Sequence, residues 1–516
     1  MADLGSKRNS LAPISCLPDE VLSLIFEAAC TDRGSCQSAP LNVAAVSRAW
    51  RDIALRTPRI WNAITISSAS LFLPRSKGCP LDIEVNVGCH SATERYFALC
   101  IPHSDRWRSL NIRTWQGDVL TMFLSARMPR LQSLVASWGG RNARRPPAEA
   151  ESFGPQLSIA QASHSQLLTL DLDSLYLPLN SFNFSRLVKL RLASTHSTSA
   201  DITPTRELLH TLNACPNLEV LYLDKIYLST ESESHLHQYA RAPIHLPLLR
   251  EASFHFLSPH TFKAVLTSIQ FTTSVSMSIS TNTDPTVDTD WRNVFPVVPN
   301  LSLIHELKIF LSDDIWDVTG CDFGGKSLLT ITCVLKGRRG TSNLTHIVSS
   351  LIAFVQHHPM PHVIDLRIAG SRDHSSAAAL HDFHSLFAGF PLLTSLTIDY
   401  WSALVDAIIL APGEVIFPRL RRLCLRWNTI VHNRLVELVR ARNRPSGASV
   451  SDSANGGVPL QRLTLVECKD ISDSLASELR EMAPEIKYRI FAPDSSSADS
   501  DDASTEGDFE MDFNPL

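Results

Sequence analysis

The pattern L-x-x-L-x-L occurs five times without overlap, as LLTLDL (167–172), LVKLRL (187–192), LEVLYL (218–223), LRRLCL (420–425) and LQRLTL (460–465). The leucine content of the chain predicts about one such match by chance. The last two leucines alternate with a polar residue, the period of a half-buried strand. Looser copies are WRSLNI (107–112), IHELKI (304–309), VIDLRI (363–368) and LTSLTI (393–398). SVSMSIS around Val275 and LLTITCVL from Leu328 fill the widest gaps as degenerate copies. Many units follow a proline, as in MPRL, CPNL, LPLL, FPLL and FPRL, and helical runs such as TRELLHTLNA stand before it. Proline stops the helix and returns the chain to an extended segment. The last two units extend to Asn428 and Cys468, positions that turn inward and satisfy backbone groups between turns.

No such unit buries its apolar face alone, so the units must stack. The expected fold is α/β: short all-α N-terminal helices, then a solenoid with a parallel sheet on its concave face and helices on its convex face. Apolar residues at 44% of 516 supply the core. Segments 139–156 and 443–459, rich in Gly, Pro, Ser and charge, read as exposed loops. Residues 1–11 read as a loose tail. Residues 494–516 carry eight acids and no base, and read as an acidic disordered tail.

Net charge is −5, so without that segment the chain is near +3. This balance does not point to nucleic acid. The eleven cysteines include no C-x-x-C pair, which fits reduced thiols better than a disulfide frame or zinc site. The N-terminus lacks a signal-peptide core, and no apolar run reaches the ~20 residues of a membrane helix. The expected setting is therefore cytoplasmic and/or nuclear, without membrane.

Leu17 to Trp61 reads as short helices. LPDEVLSLIFEAAC puts Val21, Leu22, Ile25 and Phe26 on one face, with Pro18 near the first turn and Asp19 and Glu20 at the positive end. LNVAAVSRAWRDIAL reads as one helical piece. It places Leu41, Ala45, Ala49 and Ile53 on one stripe, and Val43, Val46 and Trp50 on a neighbouring one.

LPDEVLSLIFEAA, then LNVAAVSRAWRDIAL, then TPRIWNAITI resembles an F-box, in the divergent form of mushroom-type fungi. The ordered elements are Leu-Pro-x-Glu-Val-Leu, the Ile25–Phe26 pair, a Val-Ser-Arg-x-Trp helix and a trailing Pro-x-x-Trp. The connecting TDRGSCQSAP is longer than the family's usual link. LQRLTLVECKDISDSLASEL resembles the cysteine-containing leucine-rich repeat that often accompanies F-boxes. The resemblance implies an F-box at 12–62 and a leucine-rich-repeat solenoid at 63–493. It implies a non-catalytic subunit of an SCF-type ubiquitin ligase, docking a Skp-type adaptor and through it a cullin–RING ligase. The adaptor surface would use Leu17, Pro18, Val21, Leu22, Ile25, Phe26, Val46 and Trp50, and the repeats would hold an unknown protein substrate.

Two alternatives stay open. The helices could merely cap the solenoid, with Trp61 and Ile64 packing at the junction. The chain could also be a scaffold acting outside any ligase. Arg419 to Arg444 holds eight arginines against Glu437 alone. Arg421, Arg422 and Arg426 are the candidates for binding an acidic or phosphorylated segment, although strand alternation forbids all of them one direction. The acidic 494–516 could itself fold back on this region. His357, His358, His362, His381 and His384 lack the remainder of a metal site. No phosphate-loop, dinucleotide, zinc-protease or nucleophile-elbow motif occurs, so no catalytic residue, metal or cofactor is expected.

Overall fold

A computed structural model describes residues 13–31, 38–86, 90–138, 166–175, 184–194, 204–226, 243–283, 299–335, 344–370, 386–405, 417–442, 458–482 and 487–491, apart from positions 258, 313, 314, 403, 430, 431, 470 and 472. Residues 1–11, 139–156, 443–457, 494–516, most of TDRGSCQSAP, and His381 and His384 lie outside them. The chain divides into two compact units, Met1–Leu301 with Ser327–Lys336, and Ser302–Lys326 with Gly337–Leu516.

The first unit begins with three helices, α1 (Asp19–Thr31), α2 (Ala39–Val46) and α3 (Arg48–Arg56). Strands follow: β1 (Ala63–Ile64), β2 (Leu81–Asn86), β3 (Trp107–Thr114), β4 (Ser133–Trp138), β5 (Thr169–Asp173), β6 (Lys189–Ala193) and β7 (Val220–Asp224). Next come β8 (Ile244–His245), β9 (Glu251–His255), β10 (Ile269–Gln270) and β11 (Ser276–Thr283). After the second unit's hairpin, β12 (Glu306–Leu311) and β13 (Ile315–Cys321), the chain returns with β14 (Ser327–Leu335). β1 to β7, β9, β11 and β14 pair in that order, all in parallel, while β8 and β10 form a small parallel pair of their own. Helices between strands include α4 (Ala69–Arg75), α5 (His90–Cys100), α6 (Gly117–Leu124), α7 (Pro204–Asn213) and α8 (Pro259–Ser268).

In the second unit β12 pairs antiparallel with β13 and parallel with β15 (Asp365–Gly370). From there β16 (Ser395–Asp399), β17 (Arg422–Arg426), β18 (Arg462–Val466) and β19 (Lys487–Phe491) add in parallel and in sequence order. Its helices are α9 (Leu344–His357), α10 (His432–Arg442) and α11 (Asp473–Met482).

The leucine pattern explains the core. Leu170, Leu190 and Leu221 stand in register, as do Leu172, Leu192 and Leu223, and all six are buried. The x positions between them face outward. β4 and β9 escape the leucine motif because alanine takes a leucine slot, Ala136 and Ala252, both buried. The antiparallel hairpin departs from the all-parallel expectation, its strand β13 being an inserted return.

Each recurring proline has a local job. In 128–131, 215–218, 246–249, 360–363, 390–393 and 417–420 the fourth residue's N–H donates to the first residue's carbonyl at 3.2–3.3 Å. Proline holds the second position of these turns, where its fixed φ suits the type I and II geometries. At the far end of seven strands the next residue takes a left-handed conformation: Ser174, Ser194, Lys225, Phe256, Tyr400, Trp427 and Glu467, with φ between 48° and 58°. None is glycine. Such residues cost about 1 kcal/mol each, and for most a backbone N–H onto the next strand offsets it, as Ser194 to Asp224 (2.8 Å) and Trp427 to Val466 (2.9 Å).

Asn428 occupies the inward position expected of it. Its Nδ2 donates to the carbonyls of Ile398 and Arg426, both at 2.8 Å, and its Oδ1 accepts from the Trp401 N–H at 2.7 Å. The buried Cys468 thiol donates to Leu425 O at 3.3 Å. All nine described cysteines are free.

Candidate docking surface and sheet face

The helical module is built around one capped turn. The single helical piece expected over 41–55 is broken at Ser47, whose backbone is extended (φ −155°, ψ 169°). Its Oγ accepts from the Trp50 N–H at 3.1 Å, satisfying an orphan donor at the start of α3. Arg51 reaches back to donate to Ala44 O at the end of α2 (3.0 Å), a cation at a negative helix end. The break also separates the expected stripe: Ile53 is buried, but Leu41, Ala45 and Ala49 are exposed. The motif Val-Ser-Arg-x-Trp is thus a cap, a clamp and an aromatic.

α1 has two apolar faces. Leu22 (4% exposed) and Phe26 point inward, and the Phe26 ring lies 4.9 Å from that of half-buried Trp50. Leu17, Pro18, Val21 and Ile25 face outward and are exposed, as is Val46 on α2. The eight residues singled out in the sequence therefore split: five lie at the surface, while Leu22 and Phe26 hold the module together. The same exposed face includes Leu24 (65% exposed), with Leu41 exposed on α2. Their places at i+3 from Val21 and at the start of α2 were the signal that could have found them.

Trp61 and Ile64 are fully buried. Trp61 donates to Ala54 O at 2.8 Å and meets Phe72 edge-on at 5.0 Å, so this end of the module is sealed by packing. The ion pair Arg56–Asp19 is exposed and Arg59–Glu27 is partly exposed, and both contribute little.

On the second unit's sheet, Arg422 and Arg426 alternate with buried Leu423 and Leu425 and share the outer face, while Arg421 is exposed just before the strand. Arg462 stands in register with Arg422. Asp399, 1% exposed, holds Arg367 at 2.6 Å and faces Arg426 Nε at 4.0 Å. Burial pushes its carboxyl above the usual range, against the downward pull of both arginines. The first unit carries a row that sequence reasoning missed. Arg191 pairs with Asp171 at 2.8 Å and lies over Tyr222, whose ring is 5.0 Å from His255, and His255 Nδ1 is 2.8 Å from Ser280 Oγ. Asp171, Arg191 and Tyr222 fill x positions of the strand motif, and His255 and Ser280 are outward positions of β9 and β11, where sequence pattern sets no preference.

Among the described residues, no group of three or more His, Cys, Asp or Glu gathers as metal ligands would. His358 is buried beside Phe354 (4.9 Å). No described helix is long and apolar enough to cross a membrane.

A capped three-helix module with an apolar outer row, followed by long and largely parallel sheet structure, is what this chain presents. Residues 14–67 match the family model described as F-box-like, so the chain carries an F-box-like domain there. Comparison with curated proteins found no match. Among solved structures, the chain is similar to one described as the crystal structure of the Rad7 and Elc1 complex in yeast. The identity is 12%, over 94% of this chain and 95% of that one, with a TM-score of 0.26, a likeness too loose to carry a conclusion.

Proposed function

We propose that this protein is the substrate-recognition subunit of an SCF-type cullin–RING ubiquitin ligase, acting in the cytoplasm and/or nucleus. The carrying observation is the F-box-like segment with its outward apolar row, Leu17, Pro18, Val21, Ile25 and Val46. An apolar helix face laid in a groove, anchored by a few large residues, is a recurring mode of protein recognition. The row fits a Skp-type adaptor, while Leu22, Phe26 and Trp50 act by fixing α1 against α3. The strands then belong to leucine-rich repeats whose outer face holds the substrate. The chain performs no chemistry; it raises the substrate's effective concentration near the ubiquitin-loaded enzyme.

The capping alternative accounts for Trp61 and Ile64, which are buried, but leaves the opposite, exposed apolar row without a use. Co-purification with and without Val21→Asp plus Val46→Asp tests the proposal. Retention of adaptor and cullin by wild type, lost in the variant, supports it; adaptor without cullin supports the scaffold reading; neither partner refutes both.

A further inference from the structure

The second unit's outer sheet face becomes strongly basic toward its last strands. Arg422 and Arg426 on β17 and Arg462 on β18 share it, and neither strand contains an acid. Lys487 is in register with Arg462, and Arg489 with Thr464. At one end of this surface the rings of Tyr400 and Trp427 lie parallel, 4.6 Å apart and 4° from coplanar, forming an aromatic shelf. Both residues stand on left-handed backbone, φ 55° and 54°. Trp427 is further fixed by donating its Nε1 to Glu467 at 2.8 Å. On the neighbouring strands of the same face, buried Asp399 anchors Arg367, while Arg426 Nε, 4.0 Å from Asp399 Oδ1, makes no hydrogen bond. Arg426 is thus held beside Asp399 with its side chain partly exposed on this face.

The sequence carries its own complement. Residues 494–516 contain eight acids and no base, and within them DFEMDF (508–513) alternates acid with apolar residue. Extended, this hexapeptide presents Asp508, Glu510 and Asp512 to one side and Phe509, Met511 and Phe513 to the other. Asp508 and Asp512 are four residues apart, as are Arg422 and Arg426, so each pair spans about 13 Å of strand. The intervening chain from Phe491 reaches roughly 55 Å fully extended, whereas β17 lies two strand spacings, about 10 Å, from β19.

We infer that DFEMDF (508–513) of this same chain docks on the face formed by Arg422, Arg426 and Arg462, with Asp508, Glu510 and Asp512 turned toward the arginines. Tethering puts the segment at millimolar effective concentration, so an acidic segment of another protein must displace it. The inference is independent of adaptor docking by α1.

The test uses the full chain in two forms, wild type and a tail-neutral variant (Asp508→Asn, Glu510→Gln, Asp512→Asn). The probe is a fluorescein-labelled synthetic peptide of sequence 503–516, followed by anisotropy. The tail-neutral chain should bind it at least about tenfold more tightly than wild type, whose face is already occupied. Adding Arg422→Gln and Arg426→Gln should remove about tenfold or more of that affinity, with circular dichroism confirming an intact fold. Salt from roughly 0.1 to 1 M should weaken all binding. Equal affinity for the two chain forms, no binding to the tail-neutral chain, or indifference to the arginine changes would each overturn the inference. Adaptor pull-down from the same preparations reports separately on the proposed function.

Discussion

Val21 and Leu22 are neighbours in sequence, but one lies at the surface and the other inside the module, and an aspartate at each should fail differently. Val21 is 39% exposed and Leu22 is 4% exposed. In the free protein, Val21→Asp puts a charge into water and should change stability by no more than about 0.5–1 kcal/mol. On docking, it removes roughly 1 kcal/mol of apolar burial and forces an unpaired carboxylate out of water at about 2–3 kcal/mol. The sum, about 3–4 kcal/mol, corresponds to a loss of roughly 100- to 1000-fold in adaptor affinity. Leu22→Asp instead buries the carboxylate within the module and loses its packing, about 3–5 kcal/mol of folding stability. Calorimetric titration with a purified Skp-type adaptor gives the affinity, and denaturant unfolding followed by tryptophan fluorescence gives the stability. A folded Val21→Asp protein that binds within about threefold of wild type would refute the docking role of the outward row. A stable Leu22→Asp protein would refute the orientation of α1.

Three other outcomes follow from the geometry. Ser47→Ala removes the α3 cap and should cost about 1 kcal/mol in the same denaturant assay, weakening adaptor binding by freeing Trp50 from its place against Phe26. Asn428→Ala leaves the Trp401 N–H and the Ile398 carbonyl without their side-chain partner and should destabilise the second unit by about 2–4 kcal/mol, read as faster hydrogen exchange in β16 and β17. His358 has its pKa lowered to about 4, first by burial and then by neighbouring His357. Its contribution is therefore fully present above pH 6.5 and is lost as pH falls from 6.5 toward 4, by up to about 3 kcal/mol; His358→Gln should flatten that part of the stability profile, and an unchanged slope would remove His358 as its cause.

The alternation of leucine with polar residues was enough to place nine strands, β3, β5, β6, β7, β12 and β15 to β18, because a period-2 pattern has one buried solution in a stacked sheet. The degenerate copies at Val275 and Leu328 proved to be β11 and β14 for the same reason. Asn428 was legible too, since an amide at a fixed offset after a buried strand must bond backbone. Tertiary structure decided the rest. Alanine in a leucine slot takes β4 and β9 out of the leucine pattern, leaving only the prolines of MPRL and LPLL as a sign until neighbouring strands show the register. The left-handed residues after seven strands are Ser, Lys, Phe, Tyr, Trp and Glu, none of which announces that conformation; a cross-strand backbone bond, not local preference, holds most of them.

The same division runs through the candidate sites. Sequence alone put Val21, Leu22, Ile25 and Phe26 on one helical face, because hydrophobicity cannot distinguish a residue buried in its own module from one awaiting a partner. Only the packing of α1 on α3 separated Leu22 and Phe26 from Val21 and Ile25. Likewise the arginine count near 419–444 was visible in the sequence. That Arg422, Arg426 and Arg462 share one face, with Arg367 and Asp399 on the adjoining strands of that face, was set by strand register, which brings together residues up to 95 positions apart. The chain's own pattern determined what repeats; the stacking of one repeat on the next determined which side chains meet.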